Sequence, residues 1–199
     1  MAGESWEAGD TVRLRQTVVN ELPLYHRDER NFMNESRRLL QHFLAALAYR
    51  TQKALRGAPA GFATYRAGDN VRTPGELVRH MTSVTGYART MLHGGTYRPA
   101  PLPTMQEEVA RFHEMLAALQ TDFGNDELSA TISDEQFLQG PLSDAMTHAG
   151  QLAMLRRLFG DPVASENFIY AHIRTDDVGE HQPEPAAPDA DWTPNRKPK

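Results

Sequence analysis

Residues 140 to 152 read GPLSDAMTHAGQL and open the most informative helix that the sequence predicts. Asp144 and His148 lie four residues apart, so on a helix they share one face, about 6 Å apart along the axis. A carboxylate oxygen and an imidazole nitrogen at this spacing can bind a single ion. The apolar face of this helix repeats at intervals of three and four residues, through Ala145, His148, Leu152, Leu155 and Phe159. We therefore expect His148 to point into the core, where an imidazole needs a partner.

A second inward histidine, His80, is predicted on an earlier helix. The residues that share its apolar stripe are Leu77, Val84, Tyr87 and Met91. If the two helices face each other, His80, Asp144 and His148 meet at one place. Two imidazoles and one carboxylate leave coordination positions open, as a catalytic divalent metal requires. The alternatives are a solvated first-turn carboxylate at Asp144 and two core histidines satisfied by hydrogen bonds.

Start and stop signals divide the middle of the chain into four helices. Capping boxes or prolines begin three of them, and glycines end all four. The predicted segments run from about residue 29 to 56, from 74 to 93, from 105 to 123 and from 141 to 159. A short helical turn is also expected at Ser133, with Gln136 as its capping partner. Four helices with apolar faces predict an all-α four-helix bundle.

Two segments flank the predicted bundle. Residues 1–28 have weak periodicity and are predicted to form an irregular N-terminal arm, and residues 29–174 form the single domain. Residues 175–199 contain five prolines and many acidic residues with little apolar material, so they cannot fold alone. This Pro-rich acidic tail is either disordered or laid across the bundle.

The composition excludes several classes of function. The chain has 21 Lys and Arg against 26 Asp and Glu, a net charge of -5, which disfavours binding to nucleic acid or an anionic membrane. The sequence shows neither a long apolar run nor the features of a signal peptide, so we expect a soluble cytoplasmic protein. Without cysteine, the chain offers no thiolate ligand or thiol nucleophile, and any thiol chemistry needs an external thiol.

The other candidate side chains are weaker. His42 and His113 lack a partner at helical spacing and are expected to be solvated or at the rim, and His93 is expected to interact with a helix C-terminus. The segment 165–171 contains three large apolar residues and is expected to pack back on the bundle. Tyr170 within it is expected at the rim of the core, with a contact to substrate as the alternative.

The run from Asp144 to Leu152, together with TPGELVRH at residues 73 to 80, resembles the DinB-like superfamily of metal-binding four-helix bundles. The resemblance covers about residues 30 to 160. It implies one ligand on the second helix and two ligands, usually both histidines, spaced four apart on the last helix before Gly-Gln. His80 and His148 match this pattern. Asp144 departs from it, and a carboxylate favours harder ions than an imidazole does.

The resemblance also implies a function. Members include metal-dependent transferases and isomerases that use low-molecular-weight thiols such as bacillithiol or mycothiol, and such bundles often form homodimers. We expect one divalent ion (Zn, Ni, Mn or Fe) held by His80, Asp144 and His148, activating a thiol or, as second choice, water against a small-molecule substrate. No further catalytic side chain is identified. The alternative is a bundle that binds a metal or ligand without turnover.

Overall fold

The computed structural model describes residues 29–188, with side chains described from residue 35 onward. Its long helices are α1 (Glu29–Leu55), α2 (Pro74–His93), α3 (Met105–Phe123) and α5 (Ser143–Phe159), and α4 (Asp134–Phe137) is a short helix before α5. No strand occurs in this range, and the single β-bridge joins Glu166 to Pro188. The all-α prediction is confirmed. The predicted N-terminal arm and the last eleven residues of the predicted tail lie outside the described residues.

Capping boxes begin α2, α3 and α4, as the sequence predicts. In each case a hydroxyl accepts from the backbone N–H three residues later, and the side chain at that later position accepts from the N-cap backbone N–H. The pairs are Thr73 with Glu76, Thr104 with Glu107, and Ser133 with Gln136. These reciprocal bonds satisfy amides that have no partner within the helix. The start of α2 is thereby fixed, and with it the position of His80 two turns later.

The four long helices close around one core. Helices α1 and α2 each pack against both α3 and α5, so every long helix contacts two others. Among the fully buried side chains at these contacts are Leu44, Leu47, Met81, Phe112, Leu116, Leu119 and Leu152. Each contributes about 1.5–3 kcal/mol through burial of its apolar surface. In the described part of the chain, no helix is both long and apolar enough to cross a bilayer.

The buried face of α2 differs from the predicted stripe. Tyr87, expected inside, is 57 % exposed, whereas Thr82 and Thr85 are fully buried. Their hydroxyls donate to backbone carbonyls one turn back, Thr82 to Val78 at 3.1 Å and Thr85 to Met81 at 2.9 Å. Because these bonds satisfy the hydroxyls internally, threonine can replace an apolar residue in the core. His80 consequently lies at the edge of the buried face and is half-buried.

The start of the last helix also differs from the prediction. Pro141 does not occupy the first position of an α-helix but lies inside a π-helical turn, Leu138–Leu142, that joins α4 to α5. Gly140 leaves helical geometry there, with φ −91° and ψ −105°, and Pro141 has no N–H to continue the helical ladder. The Ser143 hydroxyl donates to the Leu138 carbonyl at 2.6 Å and closes the turn. Asp144 follows this turn directly.

The C-terminal segment, residues 175–188, lies across the helices. Val178 is 6 % exposed and belongs to the core. Its carbonyl accepts from Nδ1 of His113 on α3 at 2.7 Å, and the Gln52 side chain lies 3.0 Å from the other ring nitrogen. Of the two alternatives for the tail, its described residues adopt the packed one. The prediction of a solvated or rim His113 is wrong, because this segment covers the imidazole.

Arg156 connects α5 to the end of α1. Its guanidinium donates to the carbonyls of Ala54 at 3.0 Å and Arg56 at 3.2 Å, and it pairs with Asp161. The carbonyls in the last turn of a helix have no partner within it, so Arg156 replaces the partners that α1 lacks. The side chain is almost completely buried in this role.

Among the three large apolar residues of the segment 165–171, only Phe168 packs on α1, and in the same segment the Glu166 carboxylate accepts a hydrogen bond from the Tyr49 hydroxyl of α1 at 2.7 Å. The Phe168 ring lies beneath the Arg50 guanidinium, 3.9 Å away, and edge-on to Tyr49. Ile169 and Tyr170 are 85 % and 64 % exposed, so the expectation that Tyr170 packs at the rim of the core is wrong. These residues form a 3-10 turn, in which three successive side chains point in different directions and only one can face α1.

Candidate metal centre

Helices α2 and α5 bring His80, Asp144 and His148 together at one edge of the core. Each residue offers a ligand atom, and these three atoms all lie within 4.8 Å of one another. The two imidazole rings meet edge to face, with centroids 4.8 Å apart and planes inclined by 70°. His80 therefore meets Asp144, 64 positions later in the chain, and His148 where the sequence pattern predicts.

The three side chains differ in their exposure to solvent. His148 is buried, with 9 % of its side chain exposed, whereas the Asp144 carboxylate is 49 % exposed. His80 is half-buried. The group thus has an anchored side at His148 and an open side at Asp144. A small molecule can approach from the open side without a rearrangement of the core.

The hydrogen bonds of His148 direct a lone pair towards Asp144. Its Nδ1 donates to the side-chain oxygen of Gln151 at 2.9 Å, so in the neutral ring Nε2 carries the lone pair. This Nε2 is buried and has no hydrogen-bond partner among the described residues. It nevertheless lies 3.3 Å from Oδ1 of Asp144. Two acceptors face each other there, an arrangement that is stabilised only by a cation or a proton between them.

The electrostatic surroundings keep His80 in the form that binds metals. Burial lowers the pKa of His80 below its usual range, and the charges of Arg72 and His148 lower it further, whereas Asp144 acts in the opposite direction. A neutral imidazole has a free nitrogen lone pair, and a protonated one has none. His80 is therefore ready to bind an ion at neutral pH.

The donor set suits a divalent ion. Nitrogen and oxygen ligands bound to a tetrahedral ion at about 2.1 Å are about 3.4 Å apart, so the three groups need only modest side-chain rotations to bind one. Asp144 and His80 are exposed enough to rotate, while Gln151 fixes the ring of His148. Two imidazoles with one carboxylate are compatible with zinc, nickel, manganese or iron(II).

Two cavities open on either side of the group. One of about 460 Å³ is lined by His80, and the other of about 740 Å³ is lined by Asp144. Ser83 and Arg98 line both cavities. Volumes of this size accommodate small organic molecules. Tyr170 lines neither cavity, which leaves the alternative of a substrate contact without support.

The sequence pattern did not lead us to predict that Gln151 belongs to this centre. It lies three residues after His148 on the same helix, a spacing at which side chains meet. A hydrogen-bond partner on the far nitrogen of a ligating histidine fixes the orientation of the ring and its tautomer. This spacing therefore could have indicated the contact between Gln151 and His148.

Neither a family model, nor a curated protein, nor a solved structure matches this chain.

Proposed function

We propose that the chain is a DinB-like four-helix bundle that binds one divalent metal ion through His80, Asp144 and His148. The buried Nε2 of His148 supports this proposal best, because it faces a carboxylate oxygen at 3.3 Å without a hydrogen bond. A buried acceptor without a partner costs about 1–3 kcal/mol. An ion at this position removes that cost, as a proton shared with Asp144 also does. The ring of four contacting helices and the resemblance of the α2 and α5 motifs agree with the proposed bundle.

We further propose that the site activates a low-molecular-weight thiol or, as second choice, water. A divalent ion lowers the pKa of a bound thiol or water, so that a nucleophile is present near neutral pH. Gln151 orients His148, Asp144 contributes negative charge at the open side, and the two cavities receive the small-molecule substrate. The thiol has to come from outside, since the chain contains no cysteine. The resemblance also favours a homodimer.

The binding of metal is tested on purified full-length protein. Elemental analysis and titration with Zn, Ni, Mn and Fe(II) are expected to show one ion per chain. His148→Ala and Asp144→Ala should each weaken binding by at least about tenfold while the helical circular dichroism is unchanged. His42→Ala is the matched control, because His42 is an exposed histidine of α1. Retention of no metal and uptake of none would overturn the proposal.

Turnover distinguishes the enzyme from a metal-binding protein without activity. Metal-loaded protein is incubated with a panel of electrophiles, with and without bacillithiol, mycothiol or glutathione, beside the His148→Ala variant. Thiol-dependent turnover that is lost in the variant supports a transferase. Turnover without thiol, also lost in the variant, supports a hydrolase. Equal background rates for both proteins support the non-catalytic alternative.

A further inference from the structure

The cavity beside His80 is strongly basic. Four arginines and one glutamate are the charged residues that line it together with His80: Arg66, Arg72, Arg79, Arg98 and Glu76. The whole chain carries a net charge of -5, so this concentration of positive charge is a local feature. A concave surface lined by charges of one sign attracts ligands of the opposite sign.

Two of the four guanidinium groups are engaged with carboxylates of the protein. Arg66 lies 3.5 Å from Glu76, and Arg79 lies 4.0 Å from Glu108. Arg72 and Arg98 are exposed and form no ion pair with any residue between 35 and 188. Their charges are therefore available to a ligand in the cavity.

The backbone on both sides of the cavity is well anchored. Arg72 precedes Thr73, whose capping box fixes the start of α2. Arg98 lies in the connection between α2 and α3, where the Arg111 guanidinium donates to the Ala100 carbonyl at 2.8 Å. In the same connection, the Leu102 amide donates to the buried Glu108 carboxylate at 2.9 Å. Anchored backbones fix the Cα positions of Arg72 and Arg98, so a ligand has to order only the two side chains.

We propose that Arg72 and Arg98 bind an oxyanion group, a carboxylate or a phosphate, of the small molecule that reacts at His80, Asp144 and His148. The guanidinium group is planar and presents paired N–H donors that match both kinds of oxyanion. His80 lines the same cavity as both arginines, so one small molecule can contact the arginines and the metal ligands at once. The placement of the ligand's reacting end at the metal ligands rests on the proposed function. The binding of its anionic end by Arg72 and Arg98 does not.

The second cavity is suited to the rest of such a molecule. It shares Arg98 and Ser83 with the basic cavity, and its other lining residues include Val84, Tyr87, Tyr97 and Pro141. Aromatic and aliphatic side chains are typical of surfaces that bind an organic skeleton, and Gln139, Asp144 and Thr147 add polar groups to this lining. The proposed ligand thus has an anionic group among the arginines and a carbon skeleton at the tyrosines, with the metal ligands between them.

Two matched thiols test the inference on the Co(II)-loaded protein. 3-Mercaptopropionate carries a carboxylate, and 3-mercapto-1-propanol has the same chain length without the charge. Their binding is followed by the thiolate-to-cobalt charge-transfer absorption, which reports occupancy without turnover. We expect the carboxylate thiol to bind about tenfold more tightly, the contribution of one charge-assisted hydrogen bond. Arg72→Ala and Arg98→Ala should each reduce this preference by weakening the binding of 3-mercaptopropionate more than that of 3-mercapto-1-propanol.

Arg38→Ala serves as the control, since Arg38 is an exposed arginine of α1 that does not line the cavity. It should keep the full preference for the carboxylate thiol. Equal affinities of the two thiols in the wild type, or a preference that survives in both cavity variants, would overturn the inference. A preference lost equally in Arg38→Ala would also overturn it, because only the net charge would then matter.

A titration of metal-free protein tests this inference independently of the proposed function. Succinate and inorganic phosphate are titrated into isotope-labelled protein, and the Nε–Hε signals of Arg72 and Arg98 are followed by NMR. Saturable shifts of each arginine signal that weaken when the other arginine is replaced by alanine support the inference even if the protein takes up no cobalt, and the anion that binds more tightly identifies the oxyanion. Shifts that do not saturate with either anion refute the oxyanion site, whatever the outcome with metal.

Discussion

The ring of Tyr97 lies against Gly86 so closely that a Cβ built at position 86 would stand 2.1 Å from Cδ1 of the ring. Alanine cannot occupy this position in α2 unless Tyr97 moves away. Although alanine is about 1 kcal/mol better than glycine inside a helix, overpacking costs about 1–3 kcal/mol. We predict that Gly86→Ala lowers the free energy of unfolding, measured in urea, by about 1 kcal/mol.

The double variant checks the cause of this loss. In a Tyr97→Ala background the ring is gone, so Gly86→Ala should instead stabilise the protein through the helical propensity of alanine. A stabilising effect of Gly86→Ala in the wild-type background would show that the ring does not restrict this position.

Gln151 is predicted to tune metal binding without contact to the ion. Gln151→Ala removes the acceptor that fixes the ring of His148 and should weaken metal binding about 10–100-fold, measured by competition with a chelator. Gln151→Glu keeps an acceptor at the same place and should bind metal at least as well as the wild type. Equal losses in the two variants would assign the effect to packing around residue 151 and not to the hydrogen bond.

His113 should make the stability of the protein depend on pH. Burial lowers the pKa of His113, while its hydrogen bond to the Val178 carbonyl and the charges of Glu180 and Asp177 oppose the shift. Below about pH 6.5 the unfolded chain binds a proton that the folded protein takes up only at lower pH. Stability is therefore complete above this pH and decreases as the pH falls, by at most about 1.4 kcal/mol per unit for this residue.

Urea unfolding between pH 7.5 and 5 measures this slope, with metal-free protein so that pH-dependent release of an ion does not contribute. In His113→Gln, which keeps a donor for Val178, the slope should become smaller. His80 contributes in the same direction, so a residual slope is expected and His80→Gln should reduce it further. An unchanged slope in His113→Gln would contradict the prediction.

Arg156 is predicted to be far more important for stability than its neighbour. Arg156→Lys keeps the charge but loses the fork that reaches the carbonyls of Ala54 and Arg56 and the Asp161 carboxylate. We expect a loss of about 2–4 kcal/mol in the free energy of unfolding, because buried acceptors lose their donors. Arg157→Lys is the matched control on the exposed side of α5 and should change stability by less than about 0.5 kcal/mol. Similar losses in both variants would contradict the prediction.

Features that depend on neighbours in the chain could be predicted from the sequence. The capping boxes at Thr73, Thr104 and Ser133 fix helix starts through bonds within four residues, and their residue types are visible in the sequence. The spacing of Asp144 and His148 is likewise set by the geometry of one helix. The meeting of these two residues with His80 followed from two apolar faces that had to pack together.

Features that depend on distant contacts could not be predicted in this way. The imidazole of His113 is covered by a segment 65 residues further along the chain, and no local pattern indicates that pairing. Burial of Thr85 depends on a hydroxyl that bonds its own helix, which a binary pattern counts as polar. The π-helical turn before Asp144 packs against α2 and α1, which are distant in the chain, although Gly140 and Pro141 mark the place. Arg72 and Arg98 converge only after folding.

The position of Val178 in the core has a consequence for biosynthesis. Helices α1 and α3 leave the ribosome before the segment around Val178 does, so the nascent chain exposes the apolar surface that Val178 covers until that segment emerges. During that interval the His113 imidazole is open to water. A nascent chain that stalls before Val178 therefore presents chaperones and proteases with an incomplete core.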